Sequence, residues 1–184
     1  MLTLYKSMVR SVLEYCCPLW NPNKIQDIIT LESVQRTYTS KIHTVKHMDY
    51  WDRIKALKLL SLQRRRERYI IINIWKILQG ITTNDLNIEF YFNERTGIKC
   101  KIPKLLSPNS KHQTLYDNSF AVKGPKLWNT LPCYLTSITE LNTFKIGLGR
   151  FLDEIPDKPP VSGYVTTNSN SILDYKKEGV RPRA

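Results

Sequence analysis

The longest amphipathic pattern in the chain runs from Ser61 to Gly80. Its first half holds four arginines and its second half is almost wholly apolar. The β-branched residues favour a sheet, but a stretch of this length is typical of a helix. Ser61 can cap the N-terminus, and Gly80 stands where a left-handed C-cap residue is expected. We therefore predict a central helix over residues 61–79, with its arginine end projecting to the surface.

Shorter helical patterns precede this stretch. Residues 2–16 place apolar side chains on one helical face. Asn21 can cap a second helix that follows the 3.6-residue period to about Val45. Asp49 can cap a short helix over residues 50–59. Residues 2–79 are therefore predicted to form a helical core, with a break at residues 17–22.

Beyond Gly80 the pattern becomes irregular and more polar. A short helix is predicted around residues 86–92. Residues 98–106 alternate apolar and basic positions, and residues 113–122 also indicate an extended segment. The glycine-proline pair at 124–125 predicts an interruption of the backbone.

A final helix is predicted to start at Ser137 or Thr139. From residue 156 the chain is rich in proline, serine, asparagine and charge, which predicts a flexible tail. We expect a mainly α fold with a helical bundle over residues 1–80, a small α+β C-terminal region over 81–155 and a flexible tail over 156–184.

The composition adds a preferred class of partner. The chain has 184 residues, 41% of them hydrophobic, which is enough to build a core. Its formal net charge of +12 favours an anionic partner, with nucleic acid ahead of an acidic membrane surface. No signal peptide or transmembrane stretch is recognisable, so no membrane association is expected. The expected location is intracellular, either nuclear or cytoplasmic.

Neither cysteine nor histidine spacing indicates a metal site or a cofactor. The four cysteines fit no zinc template and are expected to be free thiols; they are Cys16, Cys17, Cys100 and Cys133. His43 and His47 lie four residues apart, but no glutamate lies between them, so the zinc-protease signature is absent.

The acidic residues do not indicate catalysis. Metal-dependent polymerases and nucleases need clustered carboxylates. Asp49 and Asp52 lie at a helix start, where capping is the commoner role. The acidic group within residues 153–157 borders the predicted tail, where solvated charge is more common. We therefore expect no catalytic centre in this chain.

Basic residues give the strongest indication of a site. The candidate phosphate-contacting residues are Arg36, Lys41, His43, Lys46, Lys55, Lys58, Arg64, Arg65 and Arg68. The arginine guanidinium offers a planar set of donors to phosphate oxygens. The arginine cluster could instead be a solvated helix end or a nuclear-import patch.

A series of short motifs now points to a family. They are Leu4-Tyr5-Lys6-Ser7-Met8-Val9-Arg10, Leu13-Glu14-Tyr15-Cys16, Pro18-Leu19-Trp20, Asp27-Ile28, Leu31-Glu32-Ser33-Val34-Gln35-Arg36, Tyr50-Trp51-Asp52-Arg53-Ile54, Leu57-Lys58-Leu59-Leu60-Ser61-Leu62 with Arg64-Arg65, Lys76-Ile77-Leu78-Gln79-Gly80, Asn118-Ser119-Phe120, Leu127-Trp128-Asn129-Thr130-Leu131-Pro132 and Phe144-Lys145. In this order they resemble the region beyond the catalytic palm in non-LTR retrotransposon (LINE, jockey-like) reverse transcriptases. Ser11 departs from the proline usual in that family, and Thr37 from a second basic residue.

The resemblance implies a thumb-like helical bundle that grips a template-primer duplex without sequence preference. The parent protein would be an RNA-directed DNA polymerase, whose palm carries a Tyr/Phe-x-Asp-Asp motif that this sequence lacks. The expected protein is therefore a truncated, non-catalytic fragment that begins inside a larger protein. Its partners would be nucleic acid and the missing palm domain. The alternative is a self-standing basic protein-interaction module.

Overall fold

The computed structural model describes residues 2–22, 24–103, 113–163 and 170–175. Within them the chain is mainly helical with one small two-stranded antiparallel sheet, which confirms the predicted fold class. The chain forms two compact units. Among the described residues, unit 1 contains 2–22, 24–66, 156–163 and 170–175, and unit 2 contains 67–103 and 113–155.

Unit 1 is built from helices of unequal length. Its elements are α1 (Leu2–Leu4), a π-helical turn (Tyr5–Val9), α2 (Arg10–Glu14), α3 (Cys17–Trp20), α4 (Ile25–Ser40), α5 (Tyr50–Ala56), the start of α6 (Leu62–Leu78) and α11 (Ile172–Tyr175). The helix predicted to reach Val45 ends at Ser40, and turns occupy most of the following loop. Val45 is nevertheless buried, because this loop packs its apolar side chain into the unit.

The predicted start of α5 and both predicted ends of α6 are confirmed, whereas α5 ends at Ala56 rather than at residue 59. Asp49 Oδ1 accepts a hydrogen bond from the Asp52 backbone N–H at 2.9 Å. Ser61 Oγ accepts one from the Arg64 N–H at 3.0 Å, which caps α6. At the other end Gly80 has a φ of +69°, the left-handed conformation that closes a helix. Local capping chemistry therefore sets the limits of the central helix.

Unit 2 combines the apolar part of α6 with a hairpin and further helices. These are β1 (Phe90–Asn93), β2 (Gly97–Cys100), α7 (Gln113–Asp117), α8 (Phe120–Trp128), α9 (Cys133–Thr136) and α10 (Leu141–Asp153). Phe90 pairs with Cys100, and Asn93 with Gly97. Asn129 Oδ1 accepts from the Cys100 N–H, and Asn129 Nδ2 donates to the Cys100 carbonyl, both at 2.8 Å. One side chain thus covers the outer edge of β2.

The helix predicted around 86–92 is wrong: none of these residues is helical, and β1 begins at Phe90, where aromatic residues pair with β2. The extended segment predicted over 113–122 is also wrong, since these residues lie largely in α7 and α8. The predicted break at 124–125 falls inside α8. A Cβ on Gly124 would lie 2.8 Å from Ile74 Cδ1, so this glycine allows close packing against α6.

Aromatic packing gives unit 2 its core. The Trp75 and Phe144 rings are stacked with centroids 5.4 Å apart, and Trp128 lies 6.0 Å from Phe144. Trp75 Nε1 donates to the Ile138 carbonyl at 2.8 Å. Burying each large ring with its polar group satisfied stabilises the helices that carry them.

The residues predicted to form a flexible tail are packed into unit 1 wherever the structure describes them. Residues 156–163 and 170–175 belong to unit 1, and Val161 and Ile172 are each only 2% exposed. These parts are therefore packed rather than extended as a tail. Residues 164–169 and 176–184 lie outside the described residues. No helix in the described part of the chain combines the length and apolar character needed to cross a membrane.

Candidate nucleic-acid interface

A buried polar network lies at the centre of unit 1. Tyr5 Oη donates to Gln35 Oε1 at 2.8 Å, and Gln35 Nε2 donates to Tyr50 Oη at 3.0 Å. Tyr50 Oη in turn donates to Glu32 Oε2 at 2.7 Å. The backbone N–H of Gln63 donates to Glu32 Oε1 at 2.8 Å. The network therefore joins the N-terminal helical segment, α4, α5 and the first turn of α6.

Glu32 is the chemically unusual member of this network. Its side chain is completely buried. Burial raises the pKa of the Glu32 carboxyl to about 7, although the bonds from Tyr50 and Gln63 favour the ionised form. Burial, followed by the charge on Glu32, also raises the pKa of Tyr50 above its ordinary value. The network is a structural feature of the core, since its groups are not open to solvent.

The arginine cluster is largely internal. Arg64 is 1% exposed, and its Nη2 donates to the carbonyls of Pro156 and Asn170, each at 3.1 Å. Arg66 is also buried, and its Nε donates to Asn21 Oδ1 at 3.1 Å. The prediction that the arginine end projects to the surface is wrong for these two residues. Each guanidinium is instead used to hold distant backbone or side-chain oxygens within unit 1.

The two remaining candidates of the cluster are half-buried. Arg65 forms an ion pair with Glu14 through Nε, and its Nη2 lies 2.8 Å from Glu14 Oε2. Arg68 Nη2 donates to the Lys145 carbonyl at 3.3 Å, within unit 2. Arg64 and Arg65 thus make contacts within unit 1, whereas Arg68 makes its contact within unit 2.

Two carboxylates compensate the positive charge at the start of α6. Glu32 accepts from the Gln63 N–H, and Asp157 Oδ2 accepts from the Ser61 N–H at 2.7 Å. A helix N-terminus carries a partial positive charge and unpaired N–H groups, so carboxylates there are stabilising. They offset the unfavourable placement of arginines in the first turns of a helix.

The other basic candidates remain accessible. We call them the lysine surface; its members, all exposed, are Lys41, His43, Lys46, Lys55 and Lys58. Buried Arg53 joins the two segments that carry them, because its Nη1 donates to the Arg36 carbonyl at 3.1 Å and its Nη2 to the Met48 carbonyl at 2.9 Å. The loop after α4 is thereby held next to α5. This arrangement presents four ammonium groups and one imidazole to solvent in unit 1.

Arg36 occupies an intermediate position among the candidates. It is half-buried, and its Nη1 donates to the Ser162 carbonyl at 2.6 Å. The structure therefore does not place Arg36 with the exposed lysine surface. Its guanidinium is engaged by the C-terminal segment of the same unit.

Two of the carboxylates considered from the sequence, Asp49 and Asp157, make contacts within the fold. Asp49 caps α5, and Asp157 accepts bonds from Ser61 and from Asn170 Nδ2, the latter at 2.6 Å. Among the described residues, no group of three or more His, Cys, Asp and Glu side chains is arranged to hold a metal ion. Asp49 and Asp157 thus act in capping and in contacts within unit 1.

The cysteines are free thiols, and Cys17 and Cys100 are buried. Burial raises the pKa of the Cys17 thiol to about 11 and that of Cys100 to about 12. Both thiols therefore stay protonated at neutral pH and are poor nucleophiles.

Comparison with known proteins gives no match: no protein-family profile, curated protein or solved structure resembles this chain significantly. Sequence reasoning missed the network of Glu32, Gln35 and Tyr50. A polar position at helical spacing within the apolar stripe of α4 is the one signal that could have indicated it.

Proposed function

We propose that unit 1 binds the phosphate backbone of duplex or hybrid nucleic acid through the lysine surface. The observation that supports this is the exposure of all five of its members, in contrast to the internal arginines. Phosphate contacts provide affinity and release counterions without reading the base sequence. The proposed binding is therefore weak, independent of sequence and strongly dependent on salt.

This binding agrees with the resemblance to the thumb-like region of non-LTR retrotransposon reverse transcriptases. On that proposal the chain is a non-catalytic fragment that holds a template-primer duplex. The polymerase chemistry would belong to a separate palm domain. Such a role places the protein in the nucleus or the cytoplasm.

The first test reverses charge on the lysine surface. In the double variant Lys55→Glu/Lys58→Glu, we expect weaker binding to every duplex tested. The slope of log affinity against log salt should become shallower by about two, roughly one for each lost phosphate contact. Fluorescence anisotropy with a labelled duplex and its scrambled counterpart, titrated at several salt concentrations, measures both quantities.

A matched control changes the same net charge elsewhere in unit 1. Lys6 and Lys24 are exposed and lie outside the lysine surface. The variant Lys6→Glu/Lys24→Glu should retain most of the affinity and the original salt slope. Equal losses in the two double variants would mean that only net charge matters, and the proposed surface would then be abandoned.

An exposed apolar stripe supports a second, protein partner. It follows the N-terminal helices and comprises Leu4, Met8, Val12, Tyr15 and Leu19, whose exposed fractions run from 57% to 84%. Apolar side chains this exposed on consecutive N-terminal elements are typical of an interaction site. We infer that this stripe packs against the palm domain of a non-LTR reverse transcriptase; a partner unrelated to polymerases is the competing explanation.

Co-expression with such a palm domain tests the inference. We expect the two proteins to elute together in gel filtration, and Met8→Glu/Val12→Glu to abolish the co-elution because it places charge in an apolar contact. The variant Lys6→Glu, on the same helix but outside the stripe, should leave it intact. Separate elution of the unmodified chain and the palm would contradict the inference.

A further inference from the structure

A short proline-rich segment is bound by three side chains of unit 1. We call residues 156–162 the proline segment; they read Pro156-Asp157-Lys158-Pro159-Pro160-Val161-Ser162. Most of the segment has no helix or strand. Its carbonyls accept hydrogen bonds at three places from donors on α6, α5 and α4. The donors are Arg64 Nη2 to Pro156 at 3.1 Å, Trp51 Nε1 to Pro159 at 3.1 Å and Arg36 Nη1 to Ser162 at 2.6 Å.

The accepting carbonyls are spaced by three residues. A polyproline II helix has three residues per turn and no internal hydrogen bonds, so every third carbonyl faces the same side. Proline favours this conformation and supplies no backbone donor of its own. The three donors therefore match one face of an extended proline-rich peptide rather than a single point on it.

Apolar and aromatic contacts accompany these bonds. Pro159, Pro160 and Val161 are buried. Val161 belongs to a buried cluster formed with Tyr50, Ile54 and Leu59. The Lys158 ammonium lies 5.3 Å from the centre of the Trp51 ring. An aromatic groove that also donates an indole N–H to a proline carbonyl is the chemistry by which proline-rich peptides are recognised.

We propose that α4, α5 and the start of α6 form a recognition groove for an extended proline-rich peptide. The chain's own proline segment is its resident ligand. The partner that fits is a protein segment with the pattern Pro-x-x-Pro-Pro followed by an aliphatic residue, because this pattern occupies the groove here. A segment in the same chain has a millimolar effective concentration, so the partner binds when the resident segment is released.

Contacts outside the groove hold the resident segment in place. Asn170 Nδ2 donates to Asp157 Oδ1 at 2.6 Å, and Asn170 Oδ1 accepts from the Lys158 N–H at 2.7 Å. Neither contact uses Trp51 or Arg36. The groove can therefore be vacated by changes that leave its own donors intact.

The experiment uses the full chain and a fluorescein-labelled peptide copying residues 155–163. The variant Pro159→Ser/Val161→Ser weakens the resident segment and retains the groove. We expect it to bind the peptide at least about tenfold more tightly than the unmodified chain does, because the resident segment then competes less strongly for the groove. A peptide with alanine at the three proline positions should not bind.

Adding Trp51→Phe to that variant keeps an aromatic ring and removes the indole donor. Peptide affinity should then fall roughly tenfold, the effect of one lost hydrogen bond. If Pro159→Ser/Val161→Ser loses its helical circular dichroism signal, the variant Asn170→Ala is used instead. It removes the Asn170 bonds to the proline segment and leaves the Trp51 and Arg36 donors unchanged. Absence of peptide binding to a folded, loosened variant overturns the proposal, as does affinity that Trp51→Phe leaves unchanged. The lysine surface takes no part in these contacts, so the outcome is independent of nucleic-acid binding.

Discussion

Replacing Arg64 by glutamate is expected to destabilise unit 1 by about 3 kcal/mol or more. The wild-type guanidinium is 1% exposed and donates to the carbonyls of Pro156 and Asn170. Glutamate would lose both bonds and place a buried negative charge near Asp157, which already accepts from the Ser61 N–H. Urea unfolding followed by circular dichroism measures the change in the free energy of unfolding.

A surface substitution with the same change of charge provides the control. Lys55→Glu alters an exposed residue on α5 and should change the free energy of unfolding by no more than about 0.5 kcal/mol. A similarly small effect for Arg64→Glu would mean that the Arg64 side chain is solvated. That result would return Arg64 to the list of candidate phosphate contacts.

The central helix illustrates what local sequence determines. Ser61, Gly80 and the apolar run between them act through contacts a few residues apart, so both ends of α6 could be predicted. The same holds for Asp49 at the start of α5. Capping and periodicity are properties of a short stretch, which is why the sequence alone indicates them reliably.

The hairpin and α8 show where this reasoning fails. Aromatic residues in β1 pair with β2. In the turn between the two strands, Asn93 Oδ1 accepts from the Arg95 and Thr96 N–H groups. Gly124 lies inside a helix because Ile74 approaches it closely. β1 depends on its pairing with β2, and α8 on a close contact with α6; such packing overrides local propensity.

The surface position predicted for the arginine cluster is wrong for Arg64 and Arg66, because their contacts also come from distant parts of the chain. A run of arginines has the same sequence signature whether it faces solvent or internal acceptors. The acceptors of Arg64 and Arg65 come from residues 156 and 170 and from Glu14, far away along the chain. Lysines beside turns and short helices lack such partners more often, since ammonium groups are strongly hydrated. The lysines of the lysine surface are exposed in the structure, and their role in binding stays a prediction.

The stability of the protein is expected to decrease as pH rises from about 5 to 8, and Glu32 should account for a large part of this. Burial raises the pKa of the Glu32 carboxyl to about 7 in the folded state, against an ordinary value of 4.5. Between these two values the folded state binds more protons than the unfolded state. The free energy of unfolding therefore falls with increasing pH across that window, by roughly 3 kcal/mol in total at about 1.4 kcal/mol per pKa unit.

The variant Glu32→Gln isolates this contribution. Its carboxamide oxygen can still accept from the Gln63 N–H, and it carries no charge to desolvate. The groups around the side chain, Tyr50, Arg66 and Asp157, are unchanged. We expect the wild type to lose roughly 3 kcal/mol relative to Glu32→Gln between pH 5 and pH 8. Urea unfolding at several pH values measures the difference, and Asp52→Asn, at an exposed position, serves as the control with a profile parallel to wild type. Parallel profiles for wild type and Glu32→Gln would show that the Glu32 carboxyl titrates near its ordinary pKa, and that the buried network holds it ionised throughout.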